Sequence, residues 1–205
     1  MKGKIVTNRE VAVRWSYAEV TGRFGAKYAA AHQEPESIAL IAKILNGALF
    51  DDLDDTERKR LGAWFDTGLR SDFAGALNSW YTSFRCESWS KSELGVVYTL
   101  PIIDPLGRGR SFTFASYLAH PRKVLAGGSL DPNDPAVAAD AVSPGTPFLQ
   151  KEPLVVGHWG DGKLVLWEGN FRAALFVRTA DAEAEILVWV PNEGHWPKRD
   201  RDGSP

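Results

Sequence analysis

The sequence predicts an α+β fold for this chain of 205 residues: a helical N-terminal part, then a small mixed β-sheet holding a strand-glycine-helix turn of the phosphate-binding type. Three observations predict it. Apolar residues recur at helical spacing over 37–84, turn β-branched and near-continuous after Trp89, and pass over 164–177 from a strand through Gly169 into good helix formers. The expected division is a helical part over 1–90, an α+β core over 91–191 and a charged flexible tail over 192–205.

A first helix is expected over 8–20, although Val11, Val13 and Trp15 also alternate as a strand would. Pro35 and Ser37 start a second over 37–50, with Ile38, Ile41, Leu45 and Leu49 at helical spacing beside Leu40 and Ile44. Asp54 and Glu57 form a capping pair ahead of an apolar face of Leu61, Trp64, Phe65 and Leu69, and Gly68 is the stop signal. Ser71 then caps a helix whose stripe of Phe73, Leu77, Trp80, Tyr81 and Phe84 reads as core. The apolar run 94–103 predicts a strand ended by turn residues at 104–109, and a second strand is expected over 111–117. Residues 127–147, rich in Gly, Pro, Ala, Asp and Ser, read as a loop with one short helical turn. Strands at 154–159 and 163–168 flank the hairpin turn Gly160-Asp161-Gly162. Asn170 is the expected cap of the helix that follows Gly169, and a last strand covers 184–190.

Composition narrows the class. With 44% hydrophobic and 24% charged residues the chain can bury a core, and disorder along its whole length is excluded. Lys and Arg total 24 against 26 Asp and Glu, a formal charge of −2, so nothing in the overall charge attracts nucleic acid and a contact would need a local patch. One cysteine, Cys86, cannot form an internal disulfide and suits a reducing, cytoplasmic setting. Glu10 and Arg9 interrupt the N-terminal segment before any apolar run, so no signal peptide is expected, and no apolar span suits a bilayer. His32, His120, His158 and His195 are scattered without ligand spacing, so no metal site is expected.

Chemistry concentrates at residues 168–172. The first amides of a helix lack internal partners and sit at the positive end of its dipole, which makes such a turn a natural phosphate ligand. Gly169 allows close backbone approach, Arg172 adds a guanidinium fork, and Glu168 at the strand end is placed to act as a general base or metal ligand. The competing reading is an ordinary strand-to-helix corner with Arg172 salt-bridged to a carboxylate. Arg108 and Arg110 could close over phosphates, and Asp104 could hold Mg²⁺, although turn residues of these types usually serve solvation and capping. His120 with Arg122 and Lys123 forms a weaker cationic group, Cys86 reads as a buried inert thiol, and one of Trp159, Trp167, Trp189 and Trp196 could stack on a base.

The stretch 153–174, with Gly169-Asn170-Phe171-Arg172 after the strand, and the strand 185–190 together resemble the ParB/sulfiredoxin superfamily, also called ParB-like nuclease domains. The resemblance covers about forty residues, and its signature is a strand followed by Gly-x-x-Arg opening a helix. It implies a nucleotide pocket in which Gly169, Asn170, Phe171 and Arg172 hold the phosphates of a nucleoside triphosphate, CTP or ATP, with Mg²⁺. Family members use such a pocket for CTP-dependent DNA clamping, ATP-dependent reduction of peroxiredoxin, phosphotransfer to free serine, and DNase activity. Asn170 stands where sulfiredoxin has its cysteine, which argues against reductase chemistry. Phe171 stands where many members carry His or Arg, and only fifteen residues follow Val190, so a helix-turn-helix DNA clamp is not expected.

The leading expectation is nucleotide or phosphate-group binding, with NTP hydrolysis or phosphotransfer as its enzymatic form. The alternatives are a non-catalytic protein-interaction module that has lost nucleotide chemistry, and a metal-dependent DNA nuclease. Expected partners are a nucleotide together with DNA or a protein, and no membrane; the oligomeric state is left open.

Overall fold

The apolar runs on either side of residues 159–163 pair as the antiparallel strands β4 (Leu154–His158) and β5 (Leu164–Glu168). They lie within a six-stranded mixed sheet of order β1-β2-β6-β4-β5-β3, whose other strands are β1 (Ile5–Thr7), β2 (Tyr81–Trp89), β3 (Tyr98–Thr99) and β6 (Ile186–Gly194). The computed structural model describes residues 1–22, 24–68, 70–100, 111–120, 122, 124–143, 148, 150–159 and 162–195. Among these the chain is α+β, with nine α-helices: α1 (Asn8–Thr21), α2 (Gly25–Ala31), α3 (Pro35–Leu45), α4 (Asp55–Thr67), α5 (Ser71–Trp80), α6 (Lys91–Gly95), α7 (Phe114–Ala119), α8 (Pro135–Asp140) and α9 (Asn170–Thr179). No described helix is long and apolar enough to cross a membrane.

The chain divides into two units, one of residues 1–5 and 85–191 and one of residues 6–84 and 192–195. The second unit is built around α1, against which α2, α3, α4 and α5 pack. Its apolar core includes Tyr17, Val20, Tyr28, Leu40, Ile41, Ile44, Leu61 and Trp64. Beside that core the Glu19 carboxylate, 3% exposed, accepts from Trp15 Nε1 at 3.2 Å, Tyr28 Oη at 2.9 Å and the Arg70 guanidinium. A buried charge is tolerable when its lone pairs are satisfied in this way. The Asp54–Glu57 capping box forms as the sequence predicts, and Gly68 ends α4 by donating to the Trp64 carbonyl at 2.8 Å.

Several elements differ from the expectation. The helix predicted from Ser71 stops at Trp80, and Tyr81, Phe84, Cys86 and Trp89 are buried along β2 instead. Tyr81 and Phe84 fit the helical stripe of the preceding residues, so periodicity alone carried the helix four residues too far. Ser71 is inside α5 and is not its cap, which is Arg70. The expected strand over 94–103 begins as α6, capped by Ser90 and Glu93, and narrows to β3; the one expected over 111–117 is the start of α7, capped by Thr113. In both cases a capping side chain outweighs β-branched or aromatic content. The short helical turn expected within the predicted loop is α8, opened by Pro135 with Asp134 as its cap, whereas β6 continues to Gly194, three residues into the predicted tail.

In the first unit one apolar core gathers Leu154, Val156 and Leu166 from the sheet, Ile186 and Val188 from β6, and Ala173, Ala174 and Phe176 from α9, all fully buried. The opposite sheet face is also buried at Val155, Val165, Trp167 and Trp189, so these strands read as apolar runs without alternation. Trp167 lies over Gly157, where an added Cβ would come within 2.7 Å of the indole Cδ2. Gln150 acts as a side-chain extension of the ladder. Its amide accepts from Leu187 N and donates to Leu187 O, both at 2.7 Å.

Gly157→Ala should therefore cost about 1–3 kcal/mol of stability through overpacking. Gly75→Ala, exposed within α5 with open space at its Cβ, should stabilise by about 0.5–1 kcal/mol. Urea unfolding of each variant against wild type checks both signs.

Candidate functional site

β5 ends at Glu168, whose partner across the ladder is Val155 at the start of β4. The chain then turns into α9 through Gly169, the N-cap, at φ +93° and ψ +20°. That left-handed conformation is open to glycine and strained for other residues. A Cβ at Gly169 would also run into Leu154 Cδ2 and lie 3.2 Å from an Arg172 guanidinium nitrogen. Conformation and space thus both require glycine here, as the sequence pattern implies.

Asn170 is the first residue of α9 and not its cap; among the described residues no side chain caps this helix, and its first turn holds no acidic residue. What the first turn does hold is Arg172, a cation at the end where the helix dipole is already positive. The unfavourable placement is compensated locally. Arg172 donates one guanidinium nitrogen to a Glu168 carboxylate oxygen and the other to the main-chain carbonyl of Glu152, two residues before β4. The Arg172 and Glu168 side chains are 20% and 11% exposed, so the pair is shielded but within reach of solvent. Glu152 could not have been found from the sequence, because it contributes a carbonyl that any residue would supply.

The other predicted site residues divide. Phe171 is partly buried and packs against the apolar core of this unit. Asn170 Oδ1 is buried and meets no hydrogen-bond donor among the described residues. A buried acceptor in that condition costs about 1–3 kcal/mol unless water or a ligand donates to it. Arg108, Arg110 and Asp104 lie outside the described residues, as do Gly160, Asp161, Pro121, Lys123 and Trp196. β3 pairs parallel to β5, with Thr99 level with Leu166.

The remaining polar candidates have local tasks. Arg122 donates to the carbonyls of Tyr117 and Leu118 at 2.6 and 2.8 Å, closing the end of α7. His120 Nδ1 lies 2.6 Å from the Ser116 carbonyl. His158 lies at the end of β4 away from Glu168, opposite Leu164, and burial pushes its imidazole pKa below the ordinary value. Cys86 is buried, and Trp159 is 43% exposed next to the hairpin turn. Among the described residues no group of three or more His, Cys, Asp or Glu is arranged to hold a metal ion.

No protein-family model, curated protein or solved structure matches the chain.

Gly169→Ala should lower stability by about 1–3 kcal/mol, from the left-handed φ together with the collision at Leu154. Thermal unfolding compared with Gly75→Ala checks this, because Gly75, in the interior of α5 with open space at its Cβ, carries neither penalty.

Proposed function

We propose that the Gly169 turn is a phosphate-binding site of ParB/sulfiredoxin type, and that the chain binds the phosphates of a nucleoside triphosphate there. The observation that carries the reading is the grouping of positive partial and formal charge at one point. The N-terminus of α9 has no side-chain cap and no acid in its first turn, and Arg172 stands in that same turn. Amides at a helix start and a guanidinium fork are complementary to phosphate oxygens. The partly exposed Arg172 is within reach of such a ligand. Glu168 is the carboxylate beside the bound phosphate, placed to serve as general base or cation ligand if turnover follows. Asn170, the first residue of α9, contributes its main-chain amide.

A second reading has its own observation. Arg172 already has partners in Glu168 and Glu152, and Phe171 is packed into the core, as in a corner that has kept its fold and lost its ligand. The chain would then be a non-catalytic interaction module.

The two readings separate in a ligand-induced melting shift. A ligand at a hundred times its dissociation constant stabilises by roughly 2.7 kcal/mol. CTP or ATP with Mg²⁺ should raise the melting temperature of wild type and leave that of Arg172→Ala unmoved. Using the shift on adding ligand, rather than the melting temperature itself, removes the cost of losing the Arg172 contacts. No shift in wild type with any nucleoside triphosphate would favour the interaction module, and metal-dependent cutting of DNA would favour a nuclease.

A further inference from the structure

We propose that Glu168 is a tethered competitor for the anion site: its carboxylate holds the position on Arg172 that a ligand phosphate takes, so binding proceeds by exchange of one anion for another. The inference rests on the phosphate reading of the turn and concerns how that site is regulated. Glu168 and Arg172 are four residues apart across the Gly169 turn, and the turn folds the last strand side chain back onto the first helical turn. The Glu168 carboxylate therefore takes one guanidinium nitrogen, while the Glu152 carbonyl fixes the other and keeps the fork in place when the carboxylate leaves.

The two contacts differ in kind. The contact from Glu152 is a neutral main-chain carbonyl, anchored by the start of β4, and Glu152 is itself buried at 3% exposure. Glu168 offers a full negative charge on a side chain with rotatable bonds. An arriving phosphate meets both repulsion from that charge and occupancy of the donor it needs. Like charges brought together in a partly shielded site oppose binding strongly. Moving the carboxylate aside removes both obstacles at once and leaves the guanidinium, already oriented, to the ligand.

The test is calorimetric titration of inorganic pyrophosphate into wild type, Glu168→Gln, Glu168→Ala, the double variant Glu168→Ala with Arg172→Ala, and Glu183→Gln. The last removes an exposed carboxylate in the turn that follows α9 and controls for net charge. Glu168→Ala should bind pyrophosphate at least about tenfold more tightly than wild type. Glu168→Gln, which keeps the shape and loses the charge, should gain in the same direction, and it carries the test if the alanine variant does not fold. Glu183→Gln should match wild type.

Equal affinity of wild type and both Glu168 variants would overturn the competition and leave the phosphate site standing. A gain that persists in the double variant would overturn it too, because the anion would then be bound without Arg172. Binding in no variant would overturn the phosphate site and the competition together, whereas binding that first becomes measurable when Glu168 is changed would support both.

Discussion

A cation in the first turn of a helix works against the helix dipole, and much of what surrounds Arg172 follows from that constraint. Its charge has to be met within a few ångströms. Glu168 meets it from the strand side and the Glu152 carbonyl from the segment leading into β4. Both can do so because Gly169 takes a left-handed turn tight enough to bring the end of β5 back against the start of α9. Leu154 leaves no room for a side chain at that glycine. One ion pair, one carbonyl and one glycine thereby join two strand ends and a helix start.

The rest of the first unit keeps that junction rigid. β4 and β5 pair from Val155–Glu168 to His158–Leu164 with a register shift between Val155 and Val156, and the closeness of Trp167 to Gly157 fixes how the two strands lie together. Beyond the ladder, Gln150 pairs with the Leu187 backbone, which ties the approach to β4 onto β6 close to the residue whose carbonyl holds Arg172. On the other side of the junction, α9 is anchored by Ala173, Ala174 and Phe176 in the core, and Arg178 bonds to the Ala136 carbonyl and Asp140 of α8. The guanidinium is therefore preorganised by packing that serves stability first, and such supported geometry is what a binding site requires.

The parts of this account that were legible in the sequence are those encoded locally. The hairpin strands, the Gly169 break and α9 follow from apolar runs, turn residues and helix formers, and the Asp54–Glu57 box marks α4. The errors arise where a local signal was outweighed. Tyr81 and Phe84 continue a helical stripe yet lie in β2, because strand pairing at Cys86 with Gly3 and Lys4 depends on residues eighty positions away. Phe112 and Phe114 have strand-like content, but Thr113 caps α7. At the site, Gly169 and Arg172 were readable as a pair of roles and their ligand was not. Whether Arg172 faces a carboxylate or a phosphate depends on where Glu168 and Glu152 are carried by the sheet, and spacing alone does not contain that.

On the proposed reading the start of α9 and Arg172 together receive phosphate. Amide chemical shifts of ¹⁵N-labelled wild-type protein, followed during titration with CTP or ATP, test it most directly because they report on the donors themselves. The largest changes are expected at the amides of Gly169, Asn170, Phe171 and Arg172 and at the Arg172 side chain, saturating together. Saturable binding with those signals unmoved, or no binding at all, would contradict it.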